Sequence, residues 1–110
     1  MSAPFEIREY IESGRSPFAD WFDGLDSVTA ARVDRYIRRL ESGNFGAAKV
    51  LDAGVSELRL DFGPGYRVYF GRDGKTLIIL LGGGSKRRQN ADIAAALVRW
   101  KRYHLAKKEK

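Results

Sequence analysis

Glu57, Arg59 and Asp61 alternate with Leu58, Leu60 and Phe62, and Arg67 and Tyr69 alternate with Tyr66, Val68 and Phe70. In extended segments such alternation puts the polar set on one face and the apolar set on the other. A cationic run, Lys86-Arg87-Arg88, follows downstream. Two arginines, a lysine and a carboxylate held on rigid strands form either a solvated sheet face or a site for an anion. In the first case Asp61–Arg67 is an ordinary cross-strand ion pair. In the second, phosphate fits best, because guanidinium groups grip its oxygens in pairs and lysine adds a compact charge. RNA would also bring its own nucleophile, the 2′-hydroxyl. A protein then needs only to take up a proton, stabilise charge on phosphorus and help the 5′-oxygen leave. In that scheme Glu57 is the candidate base, and Arg67 and Arg59 stabilise charge. Lys86 or Arg87 binds phosphate or protonates the leaving group. Tyr69 could stack a base, while Arg88, Arg99 and Arg102, on one side of the last helix, extend the phosphate-facing surface.

The charge distribution agrees with a polyanion. Of 110 residues, positions 1–84 carry 11 Lys/Arg and 12 Asp/Glu, whereas positions 85–110 carry 9 and 2. The net charge of +6 therefore resides in the C-terminal segment, where it would steer polyanions; the ordinary alternative is a solvated helix with a lysine tail. There is no cysteine and one histidine, His104, so no metal site, disulfide or histidine triad is expected, and no cofactor. The longest apolar run, Leu77–Leu81, is too short for a bilayer. The N-terminus lacks a basic-then-apolar signal pattern, so a cytoplasmic protein is expected. Gly82-Gly83-Gly84-Ser85-Lys86 lacks the spacing of a nucleotide-binding loop.

The elements that must hold these residues can be read in order. Phe5–Ile11 predicts an opening edge strand. Ser16-Pro17 starts a short helix ending near Phe22, and Asp26 or Ser27 caps a second helix that stops at Gly43. Val28, Ala31, Val33, Tyr36, Ile37 and Leu40 form its apolar stripe, and Arg32, Arg35, Arg38 and Arg39 its solvated side. Residues 44–56 read as a connector. Three strands follow. A Gly63-Pro64-Gly65 loop pairs Leu60 with Val68 and Asp61 with Arg67. An Asp73-Gly74 turn then pairs Phe70 with Leu77 and puts Ile78 and Leu80 on the face of Arg67 and Tyr69. The glycines at 82–84 end the sheet. Asn90 caps a last helix whose buried stripe is Ile93, Leu97, Trp100 and His104. The order β-α-α-β-β-β-α predicts one α+β domain over 1–110, a small, mainly antiparallel twisted sheet packed with two N-terminal helices and a C-terminal helix.

The series Glu57-Leu58-Arg59-Leu60, Gly65-Tyr66-Arg67-Val68-Tyr69-Phe70, the apolar strand ending in Lys86-Arg87, and Asp92-Ile93 with Ala96 in the last helix resembles the RelE/ParE superfamily of type II toxins. The match is closer to its phage-related addiction-module killer, or HigB-like, branch. The resemblance spans nearly the whole chain. It implies a RelE-like fold, a cognate antitoxin partner, and a metal-independent endoribonuclease (an mRNA interferase) that cuts mRNA on the ribosome and inhibits translation. Family roles map onto Arg67, Arg59 and Lys86 or Arg87. Two positions depart from the pattern. Glu57 stands where some members have a second basic residue, and Gln89-Asn90-Ala91-Asp92 lacks the Tyr or His common near the start of the last helix. The alternatives are a ParE-like inhibitor of DNA gyrase without RNase activity and a non-toxic basic RNA- or protein-binding module.

Overall fold

The computed structural model describes residues 3–109. A five-stranded sheet has helices on both faces. Its strands are β1 (Glu6–Glu9), β2 (Ala48–Asp52), β3 (Val55–Arg59), β4 (Arg67–Asp73) and β5 (Leu77–Gly84), in the spatial order β1-β5-β4-β3-β2. Only β1 and β5 run parallel; the other pairs are antiparallel. Helices α1 (Pro17–Phe22) and α2 (Ser27–Glu41) follow β1, and α3 (Gln89–Lys108) follows a 3₁₀ turn at Lys86–Arg88.

The helix starts follow from local chemistry. The Ser16 hydroxyl accepts from Ala19 N–H, and the Asp26 carboxylate accepts from Thr29 N–H. Each cap satisfies an otherwise orphaned donor, worth about 1 kcal/mol. On α2, Val33, Ile37 and Leu40 turn inward, whereas Val28 is exposed. They meet Phe18, Leu58, Leu60, Val68, Phe70, Ile78 and Leu80 in one core. On the opposite face Tyr69, Val55, Ile79 and Leu81 pack under Ala96 and Trp100 of α3. His104 is exposed, with its ring against the edge of Trp100, so it leaves the buried stripe assigned to it. Arg88 occupies the cap position of α3 in place of Asn90, without a side-chain cap bond.

The strands also differ from the sequence-based expectations. The connector over 44–56 contains β2, which pairs with β3. Its alternation is hard to see because Lys49, Val50 and Asp52 are all exposed on an outer strand. The β3–β4 loop is longer than three residues. Leu60 N–H donates to Tyr66 O, and Leu58 opposes Val68. This is a shift of two residues, which keeps each side chain on its face but sets Arg59, not Asp61, opposite Arg67. The β4–β5 connection shifts by an odd number. Asp73 opposes Leu77 and Phe70 opposes Leu80, so Ile78 and Leu80 move to the α1–α2 face, where both are buried. They are therefore not available for a partner to cover.

The glycines expected to end the sheet continue it instead. Gly82, Gly83 and Gly84 pair with Tyr69, Val68 and Arg67, beyond a bulge at Tyr69/Phe70. Glycine is needed there for space: a Cβ at Gly83 would lie 2.3 Å from the Trp21 ring, and one at Gly84 2.0 Å from Asp92 Oδ2. Gly83→Ala should therefore lower stability by about 1–3 kcal/mol, read as a drop in the thermal midpoint; an unchanged midpoint would mean that Trp21 moves aside freely.

Candidate functional site

Strand pairing sets the Arg59 and Arg67 backbones opposite each other. Two guanidinium groups side by side repel unless a counter-charge lies between them, and Glu57 supplies it. Its Oε1 is 2.6 Å from Arg67 Nε and its Oε2 3.6 Å from Arg59 Nε. Glu57 is 1% exposed and Arg67 7%. Removing such charges from water is costly unless they are paired and hydrogen-bonded. The Arg67 Nε–Oε1 contact has the distance of an ion pair without the alignment of a hydrogen bond. Arg67 Nη1 donates to Gly65 O at 2.7 Å. Gln89, the first residue of α3, donates to Glu57 Oε1 at 3.0 Å. With Nε buried against Glu57 and Nη1 donating to Gly65 O, Nη2 is the group that Arg67 can offer a ligand.

Lys86 reaches the same place from the other side. Its backbone N–H donates to Pro64 O. A Cβ at Gly65 (φ +74°) would lie 3.0 Å from Lys86 Cβ and 3.1 Å from Arg67 Nη1. The loop therefore needs glycine at 65 both for its backbone angle and to leave room for the Arg67 guanidinium and the base of the Lys86 side chain. A cleft of about 450 Å³ opens here, lined by Lys49, Arg59, Asp61, Gly65, Tyr66 and Arg67 among others. A second depression, about 350 Å³, is lined by Lys86, Arg87, Arg88 and the first turn of α3. Lys86, Arg87 and Arg88 are all exposed. One edge of the molecule thus carries Lys49, Arg59, Arg67 and the Lys86–Arg88 turn.

Lys49 was hidden from sequence reading because its strand was. Its pairing partner is Glu57, so it adds a cation next to the position where resemblance leads one to expect a basic residue and finds glutamate.

Other expected site residues lie elsewhere or do other work. Tyr69 is 1% exposed within the α3-side core, so its ring cannot stack on a base. Its hydroxyl has no protein partner, and burial, with Glu57 and Asp92 nearby, raises its pKa. Arg99 donates to Leu81 O and Arg102 pairs with Glu12; both serve to hold α3 to the rest of the fold. Asp61 is exposed and does not face Arg67. Asp92 Oδ2 is buried without a partner, and that burial raises the carboxyl above its usual range against the pull of Arg88 and Arg99. On α2, Arg38 pairs with Asp34 and Glu41, while Arg32 and Arg39 lie over Phe62 and Tyr36. Among the described residues, no three His, Asp or Glu side chains gather as a metal would require, and no helix is long and apolar enough to cross a membrane.

This fold is shared with a solved structure. A solved structure of a double mutant of the E. coli toxin RelE in the free state superimposes with a TM-score of 0.64, covering 90% of this chain and 98% of that one at 18% identity. At that identity the likeness defines the fold. No family model matches the sequence. An uncharacterized protein of Haemophilus influenzae is 44% identical over 80 residues, which cover 72% of this chain and 81% of that protein. The chain belongs to one family with that Haemophilus influenzae protein.

Proposed function

We propose that this protein is the toxin of a type II toxin-antitoxin module, a HigB-like endoribonuclease that cuts ribosome-bound mRNA in the cytoplasm and is neutralised by a cognate antitoxin. The observation that carries the reading is the pairing of Arg59 and Arg67 with the buried Glu57, the two arginines lining an open cleft with Lys49, beside the depression that Lys86, Arg87 and Arg88 line. The RelE fold and the basic C-terminal segment support it. In this reading Arg67, through Nη2, and Arg59 hold the non-bridging oxygens of the scissile phosphate. Lys86 or Arg87 neutralises the leaving 5′-oxygen, and Lys49 and Arg88 hold flanking phosphates. Pre-placed cations of this kind lower the barrier where charge develops, without reorganising during the step. Glu57, enclosed by its partners, keeps the two arginines together. The RNA 2′-hydroxyl attacks phosphorus and loses its proton to solvent, because Glu57 is enclosed between the two arginines. The P–O5′ bond breaks as the 2′,3′-cyclic phosphate forms, and Lys86 or Arg87 gives a proton to the departing 5′-oxygen, a scheme that calls for no metal or cofactor.

Expression of the protein alone should arrest growth and translation, with cellular mRNA cut at discrete codon positions when 5′ ends are mapped. Intact mRNA in arrested cells, together with altered plasmid supercoiling, would replace this reading with gyrase inhibition. Harmless expression without an antitoxin would leave a basic binding module.

A further inference from the structure

We infer that Gln89 is a positioning residue, the latch that couples the start of α3 to the arginine pair; this rests on the phosphate-site reading above. Glu57 is a buried counter-ion whose carboxylate could rotate between Arg59 and Arg67. Gln89 removes that freedom. Its Nε2 donates to Glu57 Oε1 at 3.0 Å, the oxygen that faces Arg67. An ionised carboxylate only accepts, so the amide must present its NH₂ there. A neutral donor fixes the carboxylate without competing with Arg67 for charge, which a lysine at 89 would do.

The same contact has a second consequence. Gln89 directly follows the Lys86–Arg88 turn. The start of that turn is tied to the hairpin by the pairing of Gly84 with Arg67 and by the backbone bond from Lys86 N–H to Pro64 O, 3.3 Å long. Backbone contacts thus fix the start of the turn and the Gln89 side chain fixes its end, and together they set the distance between the exposed cations of the turn and the buried pair. Gln89 sets both the orientation of Arg67 and the width of the cationic site, and touches no ligand itself.

The test uses the full chain, labelled with ¹⁵N, and a short oligoribonucleotide methylated at every 2′-oxygen so that it binds without being cut. In the unliganded wild type the Nε–Hε signal of Arg67 should be resolved. Gln89→Ala and the near-isosteric Gln89→Met should shift or broaden it, while the Nε–Hε signal of Arg99, anchored separately on Leu81 O, stays in place. Affinity for the oligonucleotide should fall about tenfold, as expected for losing a hydrogen bond to a charged group. An Arg67 signal unmoved in both folded variants would overturn the latch, as would a moved signal with unchanged affinity. If the wild type fails to bind while the Arg67 signal still moves, the phosphate-site reading fails and the latch stands.

Discussion

Arg67→Lys should yield a folded protein that no longer arrests growth. Lysine keeps a positive charge for Glu57 but loses the planar fork that lets Arg67 lean on Glu57 and Gly65 O while turning its Nη2 edge to the cleft. Loss of one pre-placed donor of this kind costs about 10²–10³-fold in rate, enough to abolish toxicity. Arg67→Ala is the poorer test. It strands a carboxylate that is 1% exposed, which costs about 3–5 kcal/mol, a large share of the ~5–15 kcal/mol stability typical of a domain. Thermal melting separates the two cases: a near-native midpoint for lysine and a large drop for alanine. A toxic, stable Arg67→Lys variant would show that a point charge suffices there and that the fork geometry does not matter.

The second large effect concerns the pair as a unit. Glu57→Leu should destabilise strongly by leaving Arg67 charged and unpaired in the core, and Arg67→Met should do the same to Glu57. The combined Glu57→Leu, Arg67→Met protein should recover most of that loss, because an apolar pair of similar volume often equals or exceeds a buried ion pair in stability. It should nevertheless be inert toward RNA. A double-mutant cycle by chemical denaturation reads this as an interaction larger than either single loss of about 3–5 kcal/mol. Additive losses would mean that the two side chains do not depend on each other.

That pair also marks where sequence reading stopped. The alternation in Glu57–Phe62 and Tyr66–Phe70 was enough to assign faces, and a register shift of two residues left those faces intact. It did alter which charges meet. Asp61 opposite Arg67 would have been a surface ion pair, whereas Arg59 opposite Arg67 requires Glu57 between them. The β4–β5 register was not legible because Leu77–Leu81 is apolar on both faces, and pattern cannot choose a register when both sides can be buried. The choice was made by the turn after Asp73 and by space. Trp21 and Asp92 lie where Gly83 and Gly84 have no side chain, so the glycine run that suggests a strand end is a strand under close cover. Lys49 was missed along with its exposed strand. Tyr69 was misplaced for a different reason: α3 covers the central part of the polar face, and strand periodicity cannot say which part of a face a helix covers. The charge tally places the positive excess in residues 85–110, but the closeness of the Lys86 backbone to the β3–β4 loop depends on contacts at Pro64 and Gly65 that no local pattern encodes.

The most direct measurement of the central claim is cleavage by the purified protein of a defined mRNA held on ribosomes, with a single 2′-deoxy nucleotide placed at a mapped cut site. The account predicts cutting of the all-ribose message by the wild type with chelator present, loss of that cut when the one 2′-hydroxyl is removed, and no cut by Arg67→Lys. Persistent cutting at the deoxy position, or an uncut all-ribose message under conditions where the protein arrests translation, would contradict it.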